Sequence, residues 1–262
     1  MKETQITDLE LVSKGRTDMA SGRIYVVGIG PGDPDDMTVR AVKTLEKSDI
    51  IVGYKTYTDL VRKSFPGKEY YENGMRGEVE RCEKCVDYAL EGKTVSLICS
   101  GDSGVYGMAS PLIETALKRN FTDIEVIPGV TAALSGSAVL GAAVSHDFCV
   151  ISLSDLLTPW EMIEKRLIKA AEGDLCIAIY NPASRNRPDH LKKACSILLS
   201  VLSPDTSCGY VRNIGRDGME KKLCTLAELA DEEADMFVTV FIGNSRTRIA
   251  DDMLITPGGY DI

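Results

Sequence analysis

The sequence predicts an α/β fold of two packed α/β domains, the first on a mostly parallel sheet and the second on a mixed sheet. Three observations predict it. Over residues 23–147, short apolar runs alternate with amphipathic helical stretches, the pattern of strand–crossover–strand units with right-handed connections. Over residues 148–262, more strands follow one another directly, as in a mixed sheet. Glycine-rich turns lie directly after apolar runs, at Gly28–Asp33 and Gly101–Gly107, and ligands gather at the carboxyl ends of strands in such sheets. Residues 1–22 read as a polar extension. The short junction near 146–150 predicts a cleft between domains 23–147 and 148–262.

Each element has its own signal. Arg23–Val27 is apolar and ends in glycine, a buried strand. Thr38 is placed to cap a helix running to Lys47, followed by a strand over Asp49–Val52 and a helix over Lys55–Lys63. Gly77–Glu91 reads as an amphipathic helix with Val79, Cys82, Val86 and Ala89 on one face. Thr94–Cys99 is a strand, and Ser110-Pro111 has the form of an N-cap and first-turn proline. Asp123–Ile127 is a strand. Val126–His146 carries no formal charge with His146 neutral, but Pro128, Gly129, Gly136 and Gly141 leave it too little bulky apolar content for a membrane span, so a buried small-residue helix is expected there.

In the second half, Phe148–Leu153 is a strand, and Thr158-Pro159-Trp160-Glu161 reads as a capping box. Strands over Asp174–Tyr180, Thr206–Val211, Lys221–Thr225 and Met236–Ile242 and a helix over Pro188–Val201 complete the reading.

Composition narrows the function. The chain has 262 residues, 44% hydrophobic, and a net charge of −9, which disfavours a nucleic-acid surface. Its eight cysteines sit mostly in apolar runs, as buried free thiols do in a reducing compartment. Cys82-x-x-Cys85 has no second ligand pair, so no metal site is expected and helical core is the better reading. Met1–Gly22 lacks the apolar region of a signal peptide; a cytoplasmic protein is the expectation. His146 and His190 read as structural rather than catalytic.

Val27-Gly28-Ile29-Gly30-Pro31-Gly32-Asp33-Pro34 invites a dinucleotide reading and fails it. The fingerprint needs glycine where Asp33 stands, and Pro31 and Pro34 remove amide donors from the place a pyrophosphate would use them. No Gly-Lys-Ser/Thr follows, so it is no Walker loop either. Ser100-Gly101-Asp102-Ser103-Gly104-Val105-Tyr106-Gly107 is a second glycine-rich loop, with an aspartate able to accept from an amine or a ribose hydroxyl. Ile127-Pro128-Gly129-Val130-Thr131-Ala132-Ala133 is a third. Each alone could be a ligand-free turn; three in this order are more specific.

Together these motifs resemble those of the tetrapyrrole methylases, the class III S-adenosylmethionine-dependent methyltransferases, from about Arg23 to Tyr260. Val52–Tyr57, Asn73–Glu78, Tyr180–Arg185 and Val211–Arg216 are similar to the members that methylate C17 of precorrin-3B and contract the ring in cobalamin biosynthesis. The resemblance implies S-adenosyl-L-methionine as methyl donor and S-adenosyl-L-homocysteine as product, in the interdomain cleft. It places Pro31, Gly101, Asp102, Val105, Thr131 and Ala132 at the cofactor, with Ser100 and Tyr106 in the same segment and Asn181, Asn213 and Ile214 from the second domain. It also implies a homodimer and a polycarboxylate tetrapyrrole substrate, with neither nucleic acid nor membrane as partner. Where related uroporphyrinogen-III methylases carry an aspartate after the second strand, this chain has Tyr54. Tyr54 and Asp33 are the candidates for proton movement. The acidic chain needs local cations for such a substrate; Arg76, Arg185 and Arg216 are the candidates, because guanidinium forks suit carboxylates. The alternatives are another corrinoid-ring methylase, at C11 or C20, and a nucleotide-dependent oxidoreductase.

Overall fold

The computed structural model describes residues 22–260, so the extension expected over 1–22 lies, but for Gly22, outside the described residues. The described chain divides into two compact units. One comprises residues 22–27, 39–99 and 106–127; the other comprises 28–38, 100–105 and 128–260.

The first unit holds a five-stranded sheet of β1 (Arg23–Gly28), β2 (Ile50–Tyr54), β3 (Glu69–Asn73), β4 (Thr94–Cys99) and β5 (Ile124–Ile127), in the order β3-β2-β4-β1-β5. The β1–β5, β2–β3 and β2–β4 pairings are parallel. β1 and β2 read as continuous apolar runs because parallel strands are covered on both faces; Ile24, Val26, Val27, Ile50, Ile51 and Val52 have no solvent exposure. Helices α1 (Val39–Lys47), α2 (Lys55–Arg62), α3 (Glu78–Leu90) and α4 (Ala109–Lys118) make the crossovers.

One strand was missed and two expectations are corrected here. β3 reads Glu-Tyr-Tyr-Glu-Asn and is a half-exposed edge strand, so it carries no apolar run for the sequence to show. In α3, Cys82, Cys85, Val86 and Ala89 are buried, as the core reading required, but Val79 is 67% exposed. Ser110 does not cap α4. Met108 holds the N-cap position, and the Ser110 hydroxyl, already inside the helix, donates to Glu114 Oε1 at 2.9 Å.

The second unit carries a mixed sheet, β10-β9-β11-β8-β7, built from β7 (Phe148–Ser152), β8 (Cys176–Tyr180), β9 (Ser207–Arg212), β10 (Glu220–Thr225) and β11 (Val238–Ile242). β7 and β8 run parallel, while the other pairings are antiparallel. Ile163, Leu167, Leu191 and Leu198 of α6 (Trp160–Glu172) and α7 (His190–Leu198) pack with Ile177, Ile179 and Val240 of the sheet. Phe241, Ala178 and Val211 pack instead with Ala133 and Leu140 of α5 (Ala132–Leu140).

The helix expected over 126–146 is therefore shorter. Gly141 ends it at φ 119°, a conformation L side chains rarely adopt, and Gly141–Ala142 becomes β6 in a small sheet with β12 (Arg248–Ala250) and β13 (Met253–Ile255). No helix of the described residues is long and apolar enough to cross a membrane. The capping box expected at 158–161 is absent. Pro159 itself holds the extended N-cap conformation, leaving Thr158 one residue too early. A capping box does form at α8 (Leu226–Leu229), where Thr225 and Glu228 satisfy each other's backbone amides.

Candidate functional site

Residues 28–34, 100–105 and 128–133 of the three glycine-rich loops belong to the second unit and touch backbone to backbone. Gly30 and Gly101 exchange amide–carbonyl hydrogen bonds of 3.1 and 2.7 Å. A Cβ on Gly28 would lie 2.7 Å from the Gly101 oxygen and the Gly129 nitrogen; one on Gly129 would lie 2.2 Å from the Gly101 oxygen. No side chain fits at either position without moving main chain, which is why the sequence has glycine there.

Asp102 ties the second loop to the third. Its Oδ1 accepts from the Gly104 and Val105 amides at 2.8 and 3.1 Å, and its Oδ2 accepts from the Gly129 amide at 2.9 Å. An ionised carboxylate offers about four lone-pair sites, so roughly one remains for a ligand. The Thr38 hydroxyl donates to the Pro128 carbonyl at 3.3 Å, linking the first loop to the third.

The third loop runs into α5, where Thr131 is the N-cap residue yet makes no side-chain capping bond. Tyr180 does that work from the end of β8: its hydroxyl accepts from the Ala133 amide at 2.7 Å and hydrogen-bonds to the Thr131 hydroxyl. Sequence reasoning noted Tyr180 only as part of a motif. An aromatic residue closing a strand says nothing about which helix it caps across 47 residues. Beside it, Asn181 sits at φ 52° and donates to the Ser152 hydroxyl at 3.0 Å.

The loop after β9 closes on the same loops. Asn213 also has positive φ, at 52°, and Ile214 is buried with Ala133 and Phe241. Gly136 lets this cluster approach α5, since a Cβ there would lie 2.7 Å from the Phe241 ring and 3.0 Å from Ile214 Cδ1. Arg216 donates through Nε to the Pro31 carbonyl at 3.0 Å and through Nη2 to the Ser100 hydroxyl at 2.7 Å. Asp33 caps a single 3-10 turn, Pro34–Asp36, accepting from the Asp35 amide at 2.9 Å. The second unit thus brings Pro31, Ser100, Gly101, Asp102, Thr131 and Ala132 into one connected framework, with Val105, Asn213, Ile214 and Arg216 joined to it. Arg185 lies exposed in the turn closed by Ser184 and Arg187.

Three candidates lie in the first unit. Tyr54 ends β2, at the N-cap position of α2, with the Tyr57 ring edge-on to it at 5.2 Å. Arg76 has φ 66°, in a loop braced by buried Arg81, which bonds to Asn73 Oδ1 and, at 3.1 Å, to the Gly74 carbonyl. Tyr106 has φ 53° and is 56% exposed.

The donor set says what such a framework suits. Residues 100–107 and 128–133 contain no lysine or arginine. Besides the Asp102 carboxylate, the polar groups there are main-chain amides, carbonyls and hydroxyls. That fits a cofactor bound through neutral hydrogen bonds and shape, and does not fit a polyphosphate, which calls for cations and free amides at a helix start. Gly101, at φ 70°, keeps a slot beside the start of α5: a Cβ there would meet nothing nearer than the Thr131 Cα at 3.6 Å.

Comparison with known proteins agrees. The model of the family described as Tetrapyrrole (Corrin/Porphyrin) Methylases matches residues 23–230. The chain is 44% identical over 240 residues to a probable cobalt-factor III C(17)-methyltransferase of Salmonella typhimurium, a match covering 91% of this chain and 100% of that one. It is 36% identical over 249 residues to a precorrin-3B C(17)-methyltransferase of Sinorhizobium sp, covering 92% and 98%. Among solved structures, that of the methyltransferase CobJ matches with a TM-score of 0.83 at 34% identity, covering 90% of this chain and 100% of that one.

Proposed function

The chain belongs to the tetrapyrrole (corrin/porphyrin) methylases, and from that membership we propose that it transfers a methyl group from S-adenosyl-L-methionine to C17 of a precorrin-3B or cobalt-factor III type tetrapyrrole, with ring contraction, in cobalamin biosynthesis. The observation that carries this reading is the match over 91–92% of the chain to relatives bearing both C17-methyltransferase names, on a chain whose three glycine loops pack backbone to backbone. The reading includes S-adenosyl-L-homocysteine as product and a homodimeric assembly.

When bound, the cofactor supplies an activated methyl group on a sulfonium. The chain's residues orient it. The Gly30–Gly101 bridge and the Asp102 carboxylate tie the loops to one another, and ties of this kind lower the ordering cost of binding. Alignment of donor and acceptor can supply roughly 7–11 kcal/mol of the barrier. Within this reading Pro31, Ser100, Gly101, Asp102, Val105, Tyr106, Thr131, Ala132, Asn181, Asn213 and Ile214 form the cofactor surface. Tyr54 and Asp33 move protons on the substrate, and Arg76 and Arg185 meet its carboxylates.

Two measurements test it. Titration should show binding of S-adenosylhomocysteine and none of NADPH; the reverse result returns the chain to the oxidoreductase alternative. Incubation with metal-free and cobalt-containing trimethylated precursors and labelled cofactor should add one methyl group to at least one of them at C17, read by mass and NMR. Label at C11 or C20 instead would move the assignment to another ring position.

A further inference from the structure

Arg216 was grouped on sequence with the arginines that meet substrate carboxylates. Its surroundings favour a different task. The guanidinium spans two loops that lie 185 and 116 residues away in the chain, bonding the Pro31 carbonyl at 3.0 Å and the Ser100 hydroxyl at 2.7 Å. Its stem runs over Gly32, where an added Cβ would lie 2.4 Å from Arg216 Cγ. The far side of the guanidinium faces the Phe237 ring, 5.7 Å from its centroid. Glycine at 32, an aromatic at 237 and a fork donor at 216 together make a fitted seat.

We infer that Arg216 is a positioning residue for the cofactor loops: its guanidinium staples Pro31 to Ser100 and so sets the register of the first loop against the second. Two acceptors on separate loops, met by two nitrogens of one guanidinium, suit a rigid planar fork better than the single ammonium of a lysine. The task follows from where the acceptors sit. Ser100 immediately precedes Gly101, and Gly101 bonds to Gly30, the residue before Pro31. Arg216 therefore closes a second link beside the glycine bridge. Beside the ties that each loop makes to the third, these two links join the first loop to the second.

The inference rests on the reading of these loops as the cofactor cradle, and one experiment separates the two. S-adenosylhomocysteine is titrated calorimetrically into the full-length wild type, Arg216→Gln, Arg216→Lys, Ser100→Ala and Gly32→Ala, and KM is measured separately for S-adenosylmethionine and the tetrapyrrole. Loss of a charge-assisted fork should weaken homocysteine-analogue binding roughly 10- to 100-fold in Arg216→Gln, with Arg216→Lys recovering part of it. Gly32→Ala, which crowds both the arginine stem and the Gly215 carbonyl, should weaken binding at least as much as Arg216→Gln. Ser100→Ala, which removes one acceptor only, should fall between wild type and Arg216→Gln. KM for the methyl donor should rise while KM for the tetrapyrrole stays put. Should Arg216→Gln fail to fold, Arg216→Lys compared with wild type decides, since it keeps the charge and most of the stem and loses only the fork. Unchanged analogue binding in the variants, with a raised tetrapyrrole KM, would make Arg216 a carboxylate anchor and overturn the inference. No analogue binding by the wild type would instead bring down the cradle reading, and this inference with it.

Discussion

The Tyr180 hydroxyl accepts the amide proton of Ala133 at 2.7 Å and pairs with the Thr131 hydroxyl, so a side chain from the end of β8 caps the helix that the third loop runs into. Ala133 is fully buried, and water cannot replace the bond. Tyr180→Phe keeps the ring and leaves that amide without its acceptor. The expected cost is about 1–3 kcal/mol, read as a shift of the urea midpoint with unchanged slope. Because Thr131 and Ala132 sit at the cofactor surface in the proposed reading, S-adenosylhomocysteine binding should weaken too. Wild-type midpoint and affinity together would show that the phenol holds nothing.

Asp102 makes a sharper case, because one carboxylate serves three amides from two loops. Asp102→Asn keeps size and shape but turns one oxygen into a donor, which must face either the Gly129 amide or the Gly104–Val105 pair. Hydrogen bonds to a charged acceptor contribute about 1.5–3 kcal/mol each, so a loss of at least that size is expected. Analogue affinity should drop by roughly tenfold or more for the same reason. A variant as stable as wild type that binds the analogue normally would mean that the loops hold without this carboxylate.

Glu72 predicts a pH dependence in the first unit. The buried Thr58 hydroxyl donates to its Oε2 at 2.6 Å, Arg62 lies at 2.6 Å and Lys55 at 3.5 Å. The Thr58 hydrogen bond first, then the two cations, hold its carboxyl below the ordinary 4.5 against the upward push of burial. A folded value below the unfolded one means the stabilisation is complete above the unfolded value and fades as pH falls through the folded one. Denaturation series taken from about pH 6 to about pH 3 should therefore fall less steeply for Glu72→Gln than for wild type. Parallel curves would remove Glu72 from the acid limb.

How much of this was legible beforehand depends on what each element shows a reader of one chain. β1, β2 and β4 were readable because strands covered on both faces are largely apolar, and the glycine-rich exits of β1 and β4 announced the loops. β3 was not, because an edge strand of Glu69, Tyr70, Tyr71, Glu72 and Asn73 looks like a turn until Val52 and Gly53 are seen to pair with it. The loop residues were nameable from the motifs. Their mutual bonds were not, since Asp102 to Gly129, Tyr180 to Ala133 and Arg216 to Pro31 join residues 27 to 185 apart and leave no local pattern. Cap chemistry failed for a local reason: Ser110 and Thr158 each stand one position or more from the actual N-cap, and sequence cannot set a helix start to a single residue.

The packing of the glycine loops gives the most demanding prediction. Gly129 has an ordinary backbone conformation, so alanine there is opposed by space alone. Its Cβ would lie 2.2 Å from the Gly101 oxygen and 2.7 Å from the Gly28 carbonyl carbon, all main-chain atoms that cannot swing aside. Relief requires the third loop to back away from the first and second, which stretches or breaks the Gly129 amide's bond to Asp102. Overpacking typically costs 1–3 kcal/mol, and Gly129→Ala should lie at or above about 3 kcal/mol. Gly74→Ala is the matched control: nothing lies within 4 Å of its added Cβ, and its backbone is not in the left-handed region. It should change stability by no more than about 1 kcal/mol, in the stabilising direction where the unfolded chain loses freedom. If Gly129→Ala melts with Gly74→Ala and still binds S-adenosylhomocysteine, the three loops have room between them, and their close approach is not what shapes the cradle.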